Sequence, residues 1–289
     1  ASHLIHSGGK RVRPMVTLLA FKAFGGTNTQ DIVDMAVSLE LIHTATLLHD
    51  DIIDGAEIRR GKVSAYKKFG LKSTLVAGDF LFIKAFEVAG KFDNTVVEWT
   101  ADACARLTEG EILQNSFNRN RAVTLPDYFE IIERKTASLF QTGAKIGAYL
   151  AGASPAQVEF MSQYGLNLGM AFQMIDDVLD VVGHKKLLGK PTGMDLRDGN
   201  PSLPIVLSLT EKESAVTEAF ECSCPSEAAI QEAIAHISKG KAIQQAKKYS
   251  KQYSKQYAVK ASKSIEKLPS TVYLTGLRDL VRLIVERDF

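Results

Sequence analysis

Apolar side chains return every three or four residues along most of the chain, the period of amphipathic helices, and almost never alternate as half-buried strands do. The pattern predicts helices over 15–24, closed by Gly25-Gly26, and over 30–54, with Ile32, Met35, Ala36, Leu39, Ile42 and Leu47 on overlapping faces. Further helices are predicted over about 73–89, 96–117, 126–150, 155–182, 203–213, 227–267 and 271–289. Ser154-Pro155 reads as an N-cap with proline at the first helical position. The expected fold is a single all-α domain over 1–289 with roughly nine or ten helices, more than a four-helix bundle. Segments 55–70 and 183–201 lack the period and are expected to be irregular; each is basic, contains glycine and follows an acidic helix end.

Composition narrows the class. Of 289 residues 45% are hydrophobic and 24% charged, ordinary for a globular protein with a large core. With 35 basic and 33 acidic residues the net charge is +2, so nothing points to nucleic acid. Cys104, Cys222 and Cys224 lack metal-ligand spacing, which leaves a reduced, cytoplasmic protein as the expectation. No apolar run reaches membrane-spanning length and no signal peptide is recognised; 75–86, the longest candidate, is broken by Asp79 and Lys84. The lysine-rich stretch 239–267 reads either as a solvated helix face or as a weak attraction to an anionic membrane surface.

The chemistry lies in a repeated triplet. Asp50, Asp51 and Asp54 form Asp-Asp-x-x-Asp, and Asp176, Asp177 and Asp180 form it again. With 16 aspartates in the chain, about 0.05 such triplets are expected by chance. The i, i+4 spacing stacks Asp50 on Asp54, and Asp176 on Asp180, on one helix face, where like charges repel. Apolar neighbours such as Leu48, Ile52, Ile175 and Val178 imply partial burial, which raises that cost and calls for a cation. Oxygen ligands without histidine or cysteine suit magnesium, which keeps waters and shares phosphate oxygens, and suit zinc poorly.

Basic residues supply the complement. Gly8-Gly9-Lys10-Arg11-Val12-Arg13-Pro14 opens a helix with three cations, a start suited to a polyanion. Arg59 and Arg60 follow the first triplet, and Lys135 and Lys190 flank the second in sequence. Together they imply two phosphorylated substrates, one bridged by metal and one read directly by arginine and lysine. A Gly-x-Ser-x-Gly elbow, a Walker loop and a dinucleotide fingerprint are all missing, so hydrolase and kinase chemistry are unsupported.

In these residues the chain resembles the trans (all-E) isoprenyl diphosphate synthases over almost its whole length. The resemblance rests on the Gly-Gly-Lys-Arg start, Asp50-Asp51-Ile52-Ile53-Asp54 with Arg59-Arg60-Gly61, Gly78-Asp79, Lys135-Thr136, Gln173 to Asp180, and Gly189-Lys190-Pro191. It implies an isoprenoid-synthase helical bundle around a central cavity, catalysis with three Mg2+ ions, and a dimer. By position, Asp50, Asp54 and Asp176 would hold magnesium against the allylic diphosphate, with Asp51, Asp177 and Asp180 in support. Arg59, Lys135 and Lys190 would grip that diphosphate, and Thr136 and Gln173 would line its site. Gly9, Lys10, Arg13, His43 and Arg60 would hold isopentenyl diphosphate; alone, His43 would be read as a packed core histidine. The chain departs from the family at Asn200, where short-chain relatives often carry a lysine, and at its front, where an N-terminal helix is expected to be missing.

Ala45 and Thr46, one turn before Asp50, would form the floor on which the growing hydrocarbon ends. Small residues there imply a long product, hexaprenyl or longer, of the quinone side-chain class, built on farnesyl diphosphate; Ala45 packing against a neighbouring helix is the plain alternative. Release of such a product implies transient membrane association. The general pattern also resembles the catalytic subunits of heterodimeric hexaprenyl and heptaprenyl synthases, so the dimer is either a homodimer or a pairing with a small regulatory subunit. A short- or medium-chain synthase, a terpene cyclase of the same fold and a non-catalytic regulatory subunit remain as alternatives.

Overall fold

The helical period of the sequence is realised almost throughout. The computed structural model describes residues 2–5, 8–182, 192–212, 214–249, 252 and 271–285. The chain runs through α1 (Ser2–Ile5), α2 (Val12–Ala23), α3 (Thr29–Ile53), the strands β1 (Ile58–Arg59) and β2 (Lys62–Val63), α4 (Ala65–Phe69), α5 (Leu71–Ala89) and α6 (Asn94–Ser116). There follow α7 (Leu125–Ile132), a π-helical segment (Glu133–Ala137), α8 (Ser138–Leu150), α9 (Pro155–Val182), α10 (Met194–Asp198), α11 (Leu203–Thr210), α12 (Ser214–Glu221) and α13 (Glu227–Lys239). Helix α14 covers 241–249, and α15 is Val272–Val285. The fold is all-α.

Several boundaries differ from the periodic reading. Segment 55–70 is not irregular: β1 and β2 pair antiparallel, Ile58 with Val63 and Arg59 with Lys62. The turn residues Arg60 and Gly61 both have positive φ, 54° and 74°, the backbone of a two-residue hairpin turn. Strands of two residues are too short to show alternation. The predicted helix 126–150 is broken by the π segment, and 203–213 ends at Thr210 before a separate α12. The predicted helix 227–267 stops at Lys239, with Gly240 before α14, and nearly all of its remainder lies outside the described residues. Within 183–201, residues 183–191 are likewise outside them, while 194–198 are helical.

The chain forms two compact units. The first comprises Ala1–Ala105, Leu139–Gly165 and Ser264–Arg278; the second comprises Arg106–Ser138, Leu166–Lys263 and Asp279–Phe289. In the first unit α3 packs on α2 and α5. Its residues Ile32, Met35, Leu39 and Ile42 are fully buried, each worth about 1.5–3 kcal/mol of apolar transfer. Ser38 Oγ donates to the Ala85 carbonyl of α5 at 2.8 Å. In 25-residue α3 the most apolar stretch reaches a mean hydropathy of 1.2, so by length and composition this helix passes as a span, contrary to the sequence expectation. Half of that stretch is buried inside the protein, as in a core helix.

In the second unit Tyr128, Met174, Val178, Leu203, Val206, Phe220 and Ile237 form one core. Helix α7 starts at a capping box in which Thr124 and Asp127 exchange hydrogen bonds. Helix α11 packs against α7, and α12 against α13.

Candidate active site

The first acidic row occupies the last turns of α3. Asp50 and Asp54 are half-buried, whereas Asp51 points inward and has no exposed side-chain surface. The β1 strand brings Arg59 back onto it, and Arg59 Nε donates to Asp51 Oδ1 at 2.6 Å. Asp51 Oδ2 is buried and accepts no hydrogen bond. Burial raises the Asp51 carboxyl above the ordinary range, against the pull of Arg59. Burial also disfavours the Arg59 charge, but Asp51, Asp50 and Asp54 outweigh it and raise the guanidinium pKa.

A basic corner lies in the same unit. Arg60 Nη1 donates to the Gly8 carbonyl. Gly9 has φ 138°, a backbone conformation that residues with a side chain rarely adopt, and it lies close to the Arg60 guanidinium, 3.0 Å from where a Cβ would stand. Arg13 Nη1 lies 3.3 Å from His43 Nε2 and its guanidinium sits 4.6 Å over the Phe140 ring. Burial, then Arg13, Arg60, Arg11 and Arg59, hold His43 well below its usual pKa, so it is neutral and accepts from Arg13. Lys10 is exposed beside this corner. Arg11, one of the three cations of the opening motif, is ion-paired with Glu40, a partner not recognised from sequence. Ala45 is fully enclosed among Leu4, Leu48, Ala65 and Leu81. Thr46 is half-buried, its hydroxyl donating to the His43 carbonyl at 2.9 Å.

The second row lies on α9 in the other unit. Asp176 is half-buried; Asp177 and Asp180 are buried. Asp177 accepts from Tyr128 Oη at 2.8 Å, Gln173 Nε2 at 2.7 Å and the Leu203 N–H at 3.2 Å. Even so, burial pushes its carboxyl up to about 6. Thr136 Oγ1 donates to Gln173 Oε1 at 2.9 Å, which joins Thr136, Gln173 and Asp177 in one network. Asp180 Oδ2 accepts the Asp195 N–H at 3.1 Å.

Lys135 and Thr136 both lie on the π segment, a local widening often found at functional positions. Lys135 pairs with Glu111 of α6. Gly110 lets α6 approach the segment, since a Cβ there would collide with the Lys135 backbone. Neither Glu111 nor Tyr128 emerged from sequence reasoning, because each meets its partner only through tertiary packing. Lys190 lies outside the described residues.

Among the described residues, no three histidine, cysteine or acidic side chains converge into a ready-made metal cage. Each row instead offers oxygen ligands a turn apart at a helix end, the partial donor set that magnesium completes with water and phosphate. The buried Asp51 Oδ2 without a donor fits a cation nearby. The residues therefore suit magnesium shared with a diphosphate.

Residues 1–238 match the model of the polyprenyl synthetase family. The chain is 34% identical over 292 residues to the octaprenyl diphosphate synthase of Haemophilus influenzae, covering 99% of this chain and 87% of that protein. It is 41% identical over 216 residues to the geranylgeranyl diphosphate synthase of Methanosarcina mazei, covering 73% and 66%. Its fold matches the crystal structure of a polyprenyl synthase from Caulobacter crescentus CB15, complexed with calcium and isoprenyl diphosphate, with a TM-score of 0.91 and 36% identity over 99% of this chain and 87% of that one. With the two acidic rows and the basic corner in place on this fold, the chain belongs to the polyprenyl synthetase family.

Proposed function

We propose that this prenyltransferase condenses isopentenyl diphosphate head to tail onto an allylic diphosphate, farnesyl diphosphate as primer, and repeats the step to an all-trans polyprenyl diphosphate of hexaprenyl length or longer. The observation that carries the reading is the difference in chemistry between the two kinds of anion site. The acidic rows need a metal before they accept phosphate, whereas the corner around His43 is cationic on its own.

Asp50, Asp54 and Asp176 would hold three magnesium ions, with Asp51, Asp177 and Asp180 fixing the helix ends that present them. Bound magnesium supplies charge neutralisation for the departing diphosphate. Arg59, Lys135 and Lys190 grip the same diphosphate, while Thr136 and Gln173 line its site. Gly9, Lys10, Arg13, His43 and Arg60 hold isopentenyl diphosphate, and the neutral His43 lets Arg13 stay close without ring repulsion. Diphosphate departure leaves an allylic carbocation, and the positioned isopentenyl double bond attacks it with little entropic cost. The released diphosphate takes the proton that restores the double bond.

The protein works in the cytoplasm as a homodimer or with a small regulatory subunit, and releases product at a membrane. Val76, Phe80 and Ile83 of α5, exposed by 64%, 52% and 64%, form an apolar row that supports a partner chain. The Methanosarcina mazei relative favours a second reading, a geranylgeranyl-length product.

Incubation with farnesyl and isopentenyl diphosphates and magnesium, with and without a candidate small subunit, tests both readings. Products of hexaprenyl length or longer support the first, a ladder ending at geranylgeranyl supports the second, and no condensation under either condition overturns both. The floor is tested separately. Thr46→Phe and Ala45→Phe should shorten the ladder, and Thr46→Phe is the cleaner variant, because Ala45 has no space around it.

A further inference from the structure

The five-residue helix α10 is too short to satisfy its own terminal N–H and carbonyl groups. Both ends are met from outside, within the second unit. At the N-terminal end the Asp195 N–H donates to Asp180 Oδ2 at 3.1 Å and the Gly193 N–H to the Asp180 carbonyl at 2.9 Å. The last acid of the second row therefore caps the helix. At the C-terminal end three successive carbonyls are taken by the turn that follows α6. Arg119 Nη2 donates to the Arg197 carbonyl at 2.6 Å, Asn118 Nδ2 to that of Asp198 at 2.7 Å, and the Arg119 N–H to that of Gly199 at 3.0 Å. A guanidinium there also meets the negative end of the helix dipole.

The contact is built with two unusual backbones. Arg119 has φ 55°, a conformation that costs a residue with a side chain, and Gly199 has φ 74° with no room for a Cβ beside Arg119. Arg119 Nη1 also donates to the Cys222 carbonyl, which ties the end of α12 to the same point.

We propose that Arg119 is a positioning residue for the second acidic row. By holding the C-terminal end of α10 it keeps the Asp195 N–H on the Asp180 carboxylate and fixes the last turn of α9, with Asp176 one turn earlier. This rests on the reading that the second row receives metal-bound diphosphate.

The test is calorimetric binding of farnesyl thiodiphosphate, a non-reacting allylic probe, across a magnesium series, together with steady-state kinetics. Arg119→Ala should raise the magnesium needed for half-maximal uptake by about tenfold or more. The KM for isopentenyl diphosphate and kcat at saturating magnesium should stay near wild type. Arg119→Lys, which keeps the charge but not the planar fork, should recover part of the loss. A folded Arg119→Ala protein with wild-type magnesium dependence overturns the assignment, as does an equal loss in every parameter. If Arg119→Ala does not fold, Asn118→Ala removes one of the three caps and should give a smaller shift of the same kind; no shift there overturns the assignment too. Wild-type protein that takes up no probe with magnesium overturns the reading of the second row itself.

Discussion

The two acidic rows share one motif and neutralise its middle acid by different means. Asp51 is met by a cation, Arg59, eight residues on, at 2.6 Å. Asp177 is met by three neutral donors: a phenol 49 residues away, an amide one turn back and a backbone N–H 26 residues on. Neutral dipoles offset less of the desolvation than a full charge does, and the Asp177 carboxyl is pushed up to about 6. The Asp-Asp-x-x-Asp spacing thus turns the first acid of each row outward and the middle one inward, while distant residues settle how the middle acid is kept and whether the last is buried, as Asp180 is and Asp54 is not.

The largest effect should come where the rows are alike. Asp50→Ala and Asp176→Ala each remove an outward acid and should lower condensation on the order of a thousandfold, measured as labelled isopentenyl diphosphate incorporation. Near-normal turnover in either variant would remove that row from catalysis.

The rows should part company in their response to pH, measured as the urea midpoint of metal-free protein between pH 4 and 7. The Asp177 carboxyl sits at about 6 against an ordinary 3.8, so the folded state holds its proton more tightly than the unfolded state does. Stability from this group is full below about pH 4 and falls as pH rises through 6, by about 3 kcal/mol. His43 runs the other way. It stays neutral when folded, so stability is lost as pH falls below 6.5, where the unfolded chain takes up the proton. Asp177→Asn should flatten the first slope and His43→Gln the second; a slope unchanged in its own variant counts against that assignment. Asp51→Asn, by contrast, removes the largest of the three carboxylate charges that face Arg59, leaving Asp50 and Asp54, and should cost about 2 kcal/mol, less than a fully enclosed pair because the Arg59 side chain is 27% exposed. Equal costs for Asp51→Asn and Asp177→Asn would dissolve the contrast.

Legibility followed the length of the repeat. Helix α3 spans about seven turns, so its buried Ile32, Met35, Leu39 and Ile42 stood out as a period, and the shared face of Asp50 and Asp54 followed from geometry. The β1–β2 hairpin offers four residues, too few for alternation to register. The π segment is a matter of one extra residue per turn, seated by Gly110 on a different helix, and no local pattern encodes it. Arg59 and Arg60 were recognisable as cations near the first row, but their division of labour was not. One enters β1 and turns onto Asp51; the other sits at the hairpin turn and reaches Gly8. Glu40 and Tyr128 carry no motif, because their roles exist only after helices far apart in sequence have packed.

The smallest expected effect tests whether the second row can accept the first row's kind of neutralisation. Asn200 stands where the resemblance to short-chain synthases leads one to expect a lysine, and its Oδ1 accepts from Gln114 Nε2 at 3.1 Å and Asn118 Nδ2 at 3.4 Å. A lysine has no acceptor to offer, so Asn200→Lys leaves the Gln114 amide to water, while Asn118 keeps its shorter bond to the Asp198 carbonyl. All three side chains are half-buried rather than enclosed, and the loss should be about 1 kcal/mol, read as a lower urea midpoint. If the region relies on neutral donors, the added ammonium brings no tighter allylic binding to set against that loss. A variant that is both as stable as wild type and tighter for the allylic diphosphate would show that a cation serves there as well as the asparagine, and that the neutral arrangement around Asp177 is incidental.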